Sequence, residues 1–311
     1  MTSGRSASTY AAVETIRSDR LALSARAADY LELAKPRIAA MALLTVTVGF
    51  TLGSGGVWSF PQLSSALVGI GLVAAASGAL NQLIERRTDA LMARTANRPL
   101  PTGRLHPIEV AGFGLACGTA GVGLLVLEVN LTTALLALAT LVLYVAAYTP
   151  LKRYTALSTA IGAIPGALPP VLGWTASGAP LDGQAFSLFA ILFLWQFPHF
   201  LAIAWLHRAD YAAAGLRMLP GGSPPRGLTG LLASVYAAVL IPVSLLPGHV
   251  ALAGGSYRIA ALLLGLGYLA AAVRFVANES RETARGLLYC SLIYLPVLLS
   301  VLTWDHVRLL S

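Results

Sequence analysis

Nine long apolar runs constrain the fold of this chain more than any other feature. A helix needs roughly 20 residues to cross the hydrocarbon core of a bilayer, and each run approaches that length. Only 11% of the residues are charged, against about 25% in soluble domains. We therefore predict an all-α polytopic membrane protein with spans at residues 38–52, 63–80, 110–127, 133–148, 157–174, 186–205, 228–246, 259–275 and 287–303.

The basic residues orient the predicted bundle, because cytoplasmic segments of membrane proteins are enriched in Lys and Arg. With the N-terminus inside, only Arg258 and Arg308 of the 21 Lys and Arg fall outside the inner segments. Nine spans then leave the C-terminus outside. The prediction is a multi-pass protein of the cell (inner) membrane with a cytoplasmic N-terminus, whose polar clusters open on the cytosolic face.

The chain divides into a predicted tail and one membrane domain. Residues 1–35 are polar and contain no apolar core of a secretory signal, so we expect a cytosolic N-terminal tail. Residues 36–311 form a single transmembrane domain, because the connections are too short for a soluble one. The net charge of +8 indicates contact with membrane lipid and not with nucleic acid.

Charge is densest in residues 81–101, directly after the second apolar run. If that run continues as a helix, Asn81, Glu85 and Asp89 follow at i, i+4 and i+8 and project from one face. Carboxylate and amide oxygens suit Mg²⁺, which accepts one or two carboxylates and leaves its other positions to water and phosphate. The spacing predicts a magnesium site.

Basic residues beside the acidic cluster predict a polyanionic ligand. Arg94, Arg98 and Arg104 follow it directly, and Arg can grip a phosphate with two parallel hydrogen bonds. If they face the same cavity, residues of other inner segments add to this charge: Lys35, Arg37, Lys152 and Arg153. The alternative is a solvated loop in which these charges pair with one another or serve only as topology signals.

A second polar cluster lies at the end of the sixth run. Gln196, His199 and His207 are costly near hydrocarbon unless they line a polar cavity, so we treat them as functional candidates. His199 is a candidate metal or heme ligand. Alternatively, it satisfies carbonyls that the neighbouring Pro198 leaves free. Prolines predict breaks or kinks in two runs: Pro165, Pro169 and Pro170 in the fifth, and Pro198 in the sixth.

Asp210 lies at the cytosolic end of the same cluster. It is a candidate ligand for a second Mg²⁺ opposite the first cluster, or else a partner of Arg208. The chain contains no GxxxxGK nucleotide-binding loop, no Ser-His-Asp arrangement and no paired Cys site. An ATP-driven pump is therefore not indicated.

These motifs resemble the UbiA-type intramembrane prenyltransferases over roughly residues 30 to 303. The resemblance rests on Asn81-x3-Glu85-x3-Asp89 with its following arginines, on Tyr148-Thr149-x2-Lys152-Arg153, and on the run Trp195-Gln196-Phe197-Pro198-His199-Phe200. It implies a nine-helix bundle whose central cavity opens to the cytosolic face. The last run is similar to that of members that farnesylate heme.

The resemblance implies a reaction and a role for each motif. Farnesyl diphosphate and heme B would be the substrates, Mg²⁺ the cofactor, and a heme A-forming enzyme or terminal oxidase a partner. The implied metal ligands are Asn81, Glu85, Asp89 and Asp210. The implied diphosphate-binding residues are Lys35, Arg37, Arg94, Arg98, Lys152 and Arg153, and the implied heme-binding residues are Trp195, Gln196, His199 and His207.

Two departures from the family pattern leave alternatives open. Glu85 stands where many relatives have Asp, and Leu206 stands four residues before Asp210, so the second motif has no carboxylate pair. The motifs are also compatible with a second prenyltransferase activity, the transfer of a longer polyprenyl chain to an aromatic acceptor such as 4-hydroxybenzoate. A secondary transporter is the alternative from another class, since such proteins also combine broken helices with intramembrane polar residues.

Overall fold

The computed structural model describes residues 24–219 and 225–311. Within these ranges the chain is built from helices and turns, without a strand. A helical segment at residues 24–33 comes first. The helices that follow are α1 Pro36–Gly53, α2 Phe60–Asp89, α3 Pro107–Glu128, α4 Leu131–Leu151, α5 Ser158–Ala167, α6 Pro169–Ala176, α7 Gly183–Leu206, α8 Arg208–Ala213, α9 Leu228–Ser244, α10 Leu246–His249, α11 Gly255–Ala277 and α12 Arg281–Leu310.

Polar caps set the ends of the long helices. Ser59 accepts a hydrogen bond from the Gln62 backbone amide at the start of α2. Ser280 and Thr283 form a reciprocal capping box at the start of α12. Such caps satisfy amides that have no partner within a helix. The capping residues therefore determine where α2 and α12 begin.

Eight helices of the described residues are long and apolar enough to cross a membrane. The chain is thus a multi-pass membrane protein, as predicted. The fifth predicted span is instead two short helices, α5 and α6, which meet at Leu168. The predicted break at Pro169 is confirmed, whereas α7 continues through Pro198 without a break. A proline inside a helix removes one backbone hydrogen bond. The hydrogen bonds of the turns before and after Pro198 keep α7 continuous.

The α5–α6 pair runs antiparallel to α4 along its whole length. At one end, a Cβ added to Gly162 would lie 2.5 Å from the Tyr148 ring. At the other end, the Asn130 side-chain amide donates to the Thr175 carbonyl at 2.8 Å, and the Thr133 and Thr175 hydroxyls are 2.9 Å apart. The broken segment therefore extends from one end of α4 to the other.

The helices α1 and α6 cross at very close range. A Cβ added to Gly49 would lie 1.9 Å from the Pro170 carbonyl oxygen, and one added to Gly173 would lie 1.9 Å from that of Val46. Only glycine fits at these two positions, because any side chain would collide with backbone. Small residues at helix crossings are the usual basis of tight packing in membranes.

The segment at residues 24–33 is fixed against α2 and the loop that follows it. Gln82 donates to the Leu33 carbonyl at 3.2 Å, and Arg104 forms ion pairs with Asp29 at 3.0 Å and Glu32 at 3.4 Å. The chain then turns at Lys35, whose φ of 50° is left-handed. The rest of the predicted tail, residues 1–23, lies outside the described residues.

Candidate active site

The three predicted metal ligands lie together on the last turns of α2. Asn81 and Asp89 are 1% exposed and Glu85 is 7% exposed. The Asn81 amide nitrogen donates to a Glu85 carboxylate oxygen at 3.0 Å. The helix continues from the second apolar run to Asp89, as the spacing argument requires, and all three side chains are buried.

Each of the three side chains is contacted by a basic residue from a different segment. The contacts are Lys35 Nζ to Asn81 Oδ1 at 2.7 Å, Lys152 Nζ to Glu85 Oε1 at 2.9 Å and Arg98 Nη1 to Asp89 Oδ2 at 2.8 Å. The chain before α1, the end of α4 and the loop after α2 thus converge on one point. We call these six residues the ion cluster.

The two lysines of the ion cluster differ in how strongly they hold their charge. Burial, together with the positive charges of Arg98 and Lys152, lowers the pKa of Lys35 to about 7. Burial also disfavours the charge of Lys152, but Tyr148 and Glu85 outweigh it, so the pKa of Lys152 is raised above its usual range. Lys152 is the firmly charged member, and Lys35 bonds to a neutral amide.

Asp89 keeps one oxygen without a hydrogen-bond donor. Its Oδ2 receives Arg98, whereas its buried Oδ1 accepts no hydrogen bond from any residue that the structure describes. Thr95 donates to the Asp89 backbone carbonyl at 2.8 Å and so holds the loop that carries Arg98. A buried carboxylate oxygen without a donor is costly, which indicates a place for an incoming group.

The ligand set of the ion cluster fits magnesium better than a transition metal. It offers two carboxylates and one amide oxygen. No group of three or more His, Cys, Asp or Glu that could hold a metal ion occurs among residues 24–219 and 225–311, the ion cluster included. Mg²⁺ binds through one or two carboxylates and substrate phosphate and keeps several waters. Zinc and copper prefer the nitrogen and sulfur ligands that are missing here.

Aromatic and hydroxyl groups surround Lys152, and most of them had no predicted role. The Lys152 ammonium lies 4.4 Å above the Tyr148 ring, which packs against Tyr144 at 5.3 Å. The Tyr211 hydroxyl lies 3.5 Å from Arg94. Sequence reasoning missed Tyr144. It named Tyr148, Thr149 and Tyr211 as members of motifs but gave no role to Thr149 or Tyr211. The one available signal for Tyr211 was its place directly after Asp210.

The second predicted motif lies on a different face of the bundle. His199 Nδ1 is 2.8 Å from the Ser291 hydroxyl, and Trp195 stacks on His199 and donates to the Ser291 carbonyl at 2.9 Å. These contacts join α7 to α12. Gln196 points elsewhere and donates to the Ala163 carbonyl at 3.0 Å. Among the described residues, no hydrogen bond, ion pair or ring contact joins Trp195, Gln196 or His199 to a member of the ion cluster.

The remaining acidic candidate, Asp210, lies on α8, directly after the C-terminal end of α7. Asp210 lies 3.5 Å from His207 Nδ1, and both are partly exposed. The alternative pairing of Asp210 with Arg208 is wrong, because Arg208 stacks on Trp205 and donates to its carbonyl at 2.8 Å. Asp210 and His207 therefore pair with each other and do not belong to the ion cluster.

The other predicted diphosphate residues lie on the surface. Arg37, Arg94 and Arg153 are exposed, and of these Arg94 reaches Tyr211. Arg104, which was expected to face a polyanion, instead pairs with Asp29 and Glu32. Spacing alone could not separate the basic residues that turn inward from those that do not.

Sequence comparisons identify a matching family and similar proteins. The model of the UbiA prenyltransferase family matches residues 42–295. A protein of Solibacter usitatus (strain Ellin6076), described as protoheme IX farnesyltransferase, is 43% identical over 89% of this chain and 98% of its own length. A protein of Koribacter versatilis (strain Ellin345) with the same description is 45% identical over 89% of this chain and 93% of its own length.

Solved structures share the fold at low sequence identity. A structure described for digeranylgeranylglyceryl phosphate synthase matches with a TM-score of 0.75 and 16% identity, covering 91% of this chain and 99% of that one. A UbiA homolog from Archaeoglobus fulgidus, bound to DMAPP and Mg²⁺, matches with a TM-score of 0.54 and 18% identity over 88% and 99%. The helical arrangement described above is thus an established one.

Proposed function

The chain belongs to the UbiA prenyltransferase family, and we propose from this premise that it transfers a farnesyl group from farnesyl diphosphate to a vinyl group of heme B. Addition of water then gives the hydroxyethylfarnesyl side chain of heme O. The observation that carries the proposal is the ion cluster, where buried Asn81, Glu85 and Asp89 meet half-buried basic side chains from three other segments. The relatives described as protoheme IX farnesyltransferases support the choice of acceptor.

We assign Asn81, Glu85 and Asp89 to the cofactor Mg²⁺. The buried Asp89 oxygen without a donor and the oxygen-only ligand set support this assignment. So does the archaeal homolog whose structure contains DMAPP and Mg²⁺. The ion would neutralise the diphosphate and favour its departure. Asp210, paired with His207 at the rim, is the remaining candidate for a second ion.

The basic members of the ion cluster would exchange partners when the substrate binds. Lys35, Lys152 and Arg98 each donate to a ligand oxygen in this structure. Phosphate oxygens can accept the same hydrogen bonds, and charge-assisted bonds to phosphate are strong. These side chains would then hold the diphosphate and neutralise its growing charge as it leaves. Arg37, Arg94 and Arg153 would attract it from the rim.

The surroundings of Lys152 suit an allylic cation. Departure of diphosphate leaves positive charge on the farnesyl carbon, and aromatic faces attract cations through their quadrupole. Tyr148 and Tyr144 provide two such rings next to Lys152. A chamber between apolar helices would keep water away until the vinyl carbon has attacked. Water then adds to the resulting cation.

We assign the α7 motif to heme. His199 and Trp195 form a stacked pair whose contacts reach α12, and a flat porphyrin would extend this stack. His199 would contact the iron or a propionate. Gln196 and His207 would contribute at the edges, although both Gln196 amide hydrogens already bond to carbonyls in this structure. Both substrates are lipophilic, so entry from the bilayer is expected.

We further propose nine crossings in a single domain of residues 36–311, eight by long helices and one by α5–α6. The antiparallel course of that pair along α4 supports the ninth. The N-terminus is then cytoplasmic, the C-terminus outside, and the ion cluster lies in a cavity that opens to the cytosol. The membrane would be the cell (inner) membrane. A heme A-forming enzyme or terminal oxidase would receive the product.

One incubation tests the function. Purified protein with heme B, farnesyl diphosphate and Mg²⁺ should yield a porphyrin heavier by one farnesyl group and one hydroxyl group, because the added water loses a proton; mass spectrometry measures this. Parallel reactions replace heme B with 4-hydroxybenzoate or omit Mg²⁺. Prenylated 4-hydroxybenzoate without a heme product would replace the acceptor. Transport of either compound into vesicles without any product would contradict the enzyme assignment.

A further inference from the structure

The orientation of the Asn81 amide is fixed by its neighbours. The Lys35 amino group donates to the amide oxygen at 2.7 Å. The Glu85 carboxylate can only accept, so the amide nitrogen must face it at 3.0 Å. The reverse orientation would place the amide oxygen against the Glu85 carboxylate, so that two acceptors would face each other without a hydrogen. The ligand oxygen of Asn81 therefore points to the side from which Lys35 approaches.

A third neighbour, Thr149, reinforces this orientation from the end of α4. Its hydroxyl lies 3.1 Å from the Asn81 amide nitrogen and 2.8 Å from the Tyr144 carbonyl. The carbonyl can only accept, so the hydroxyl hydrogen goes to Tyr144 and a lone pair receives the Asn81 amide. Thr149 is 1% exposed, so water cannot take its place.

A local irregularity of α4 puts Thr149 in position. Residues Leu143–Tyr148 are π-helical, and the Thr149 backbone amide donates to the Tyr144 carbonyl, five residues back. That carbonyl therefore accepts two bonds from Thr149. Short π-helical turns shift the register of the side chains that follow and are frequent at functional sites. Here the turn precedes Thr149 and Lys152, which both contact α2.

We propose that Thr149 is a positioning residue for the metal site, which acts by holding the Asn81 amide so that its oxygen faces the cation. The inference rests on the proposed function only in that the ion cluster binds a divalent cation. The identity of the acceptor does not enter. Groups that orient metal ligands are commonly worth 10–100-fold in metal affinity, although they never touch the ion.

The test measures Mn²⁺ binding to the purified protein by electron paramagnetic resonance, with Mg²⁺ as competitor. Thr149→Val keeps the side-chain shape and removes the hydroxyl, and we expect Mn²⁺ to bind roughly 10–100-fold more weakly. Thr149→Ser should restore the wild-type affinity. Thr140→Val is the matched control: Thr140 lies on the same helix, and its hydroxyl donates to the Leu136 carbonyl at 2.7 Å.

A second measurement keeps the inference testable if Thr149→Val does not fold. Asn81→Asp replaces the amide by a carboxylate whose two oxygens are equivalent, so no orientation remains to be held. Thr149→Ala should weaken Mn²⁺ binding in the wild-type background but not in Asn81→Asp. Equal losses in both backgrounds would overturn the proposal, as would a wild-type affinity for Thr149→Val together with a lowered melting temperature.

The two proposals fail separately. If the wild-type protein binds Mn²⁺ but does not farnesylate heme, the proposed acceptor falls while the Thr149 comparison is still decided by the binding data. If the wild-type protein binds no Mn²⁺, with or without farnesyl diphosphate, the positioning role is overturned together with the metal assignment.

Discussion

Two buried aspartates at different positions in the bundle show how a carboxylate can be either saturated or open. Asp305 near the end of α12 is 0% exposed, and both of its oxygens are bonded. Gly254 and Tyr257 backbone amides donate to Oδ2 at 2.6 and 3.3 Å, and Arg308 donates to Oδ1 at 2.9 Å. Asp305 thereby caps the first turn of α11, a structural task.

Asp89 is equally buried but differently bonded. Arg98 donates to one oxygen, and the other receives no donor from the described part of the chain. Packing would have been easier with an apolar side chain at this position, because replacing buried ion pairs by apolar groups is often neutral or stabilising. The contrast with Asp305 therefore indicates that burial alone does not mark a functional carboxylate. An oxygen left without a donor does.

The largest effect is expected at Asp89. Asp89→Asn keeps the shape and the Arg98 contact on one side but removes the charge that holds Mg²⁺. Turnover should fall more than roughly a hundredfold, since even groups behind metal ligands are worth up to about that factor. The protein should remain folded, because Arg98 is partly exposed and can turn to water. Product formation by mass spectrometry, with size-exclusion elution as the folding check, measures both.

Normal Mg²⁺-dependent turnover of Asp89→Asn, or of Asp89→Ala, would remove the catalytic assignment. It would also remove the contrast with Asp305, because an open oxygen would then have no measurable use.

The Asp89 side of the contrast was largely predictable from sequence, and the reason is local. Asn81, Glu85 and Asp89 lie on one helix, where spacing alone determines the shared face. The length of the apolar runs predicted the eight long helices, and proline predicted the break before α6. The sequence could not show that Lys152 and Lys35 contact these three side chains, because the contact depends on how distant segments pack.

The features that escaped prediction carry no local pattern. Thr149 belongs to a motif named from the sequence, but nothing in that motif shows that its hydroxyl contacts Asn81. The π-helical turn before it changes the register by one residue without a sequence signal. The separation of His199 from the ion cluster is also invisible, since two motifs on different helices can face each other or not. Charge density in residues 81–101 could not show that Arg104 turns towards Asp29.

A tenfold to hundredfold effect is expected at Lys152. Lys152→Met removes the firmly charged donor to Glu85 and to the proposed diphosphate. A hydrogen bond to a charged group is worth about 1.5–3 kcal/mol, so the KM for farnesyl diphosphate should rise by roughly 10–100-fold. Steady-state kinetics at saturating heme B measure the change.

Arg285→Met provides the comparison for Lys152. Arg285 is exposed near the start of α12 and belongs neither to the ion cluster nor to the α7 motif. Equal rises of KM in the two variants would mean that general surface charge, and not the buried contact, attracts the diphosphate.

A smaller effect is expected at His199. His199→Ala removes the ring that stacks on Trp195 and that we assign to heme, so heme B affinity in a spectral titration should fall by roughly tenfold, about 1.4 kcal/mol. Ser291→Ala keeps the ring and removes only its hydrogen-bond partner, so it should weaken binding less. An unchanged heme affinity for His199→Ala would withdraw the heme assignment, and His199 would then be a structural link between α7 and α12.

The smallest effect on turnover is expected at the saturated aspartate. Asp305→Asn weakens the cap of α11, which is worth about 0.5–2 kcal/mol, and the apparent melting temperature in detergent should fall by about 2–4 °C. Turnover per folded molecule should stay within about twofold, because every bond of Asp305 goes to helix ends or Arg308. Asp182→Asn, which alters the exposed cap of α7, should lower the melting temperature less. Loss of Mg²⁺-dependent turnover in Asp305→Asn as large as in Asp89→Asn would show that a fully bonded carboxylate can also be essential to the chemistry, and the distinction between open and saturated oxygens would fail.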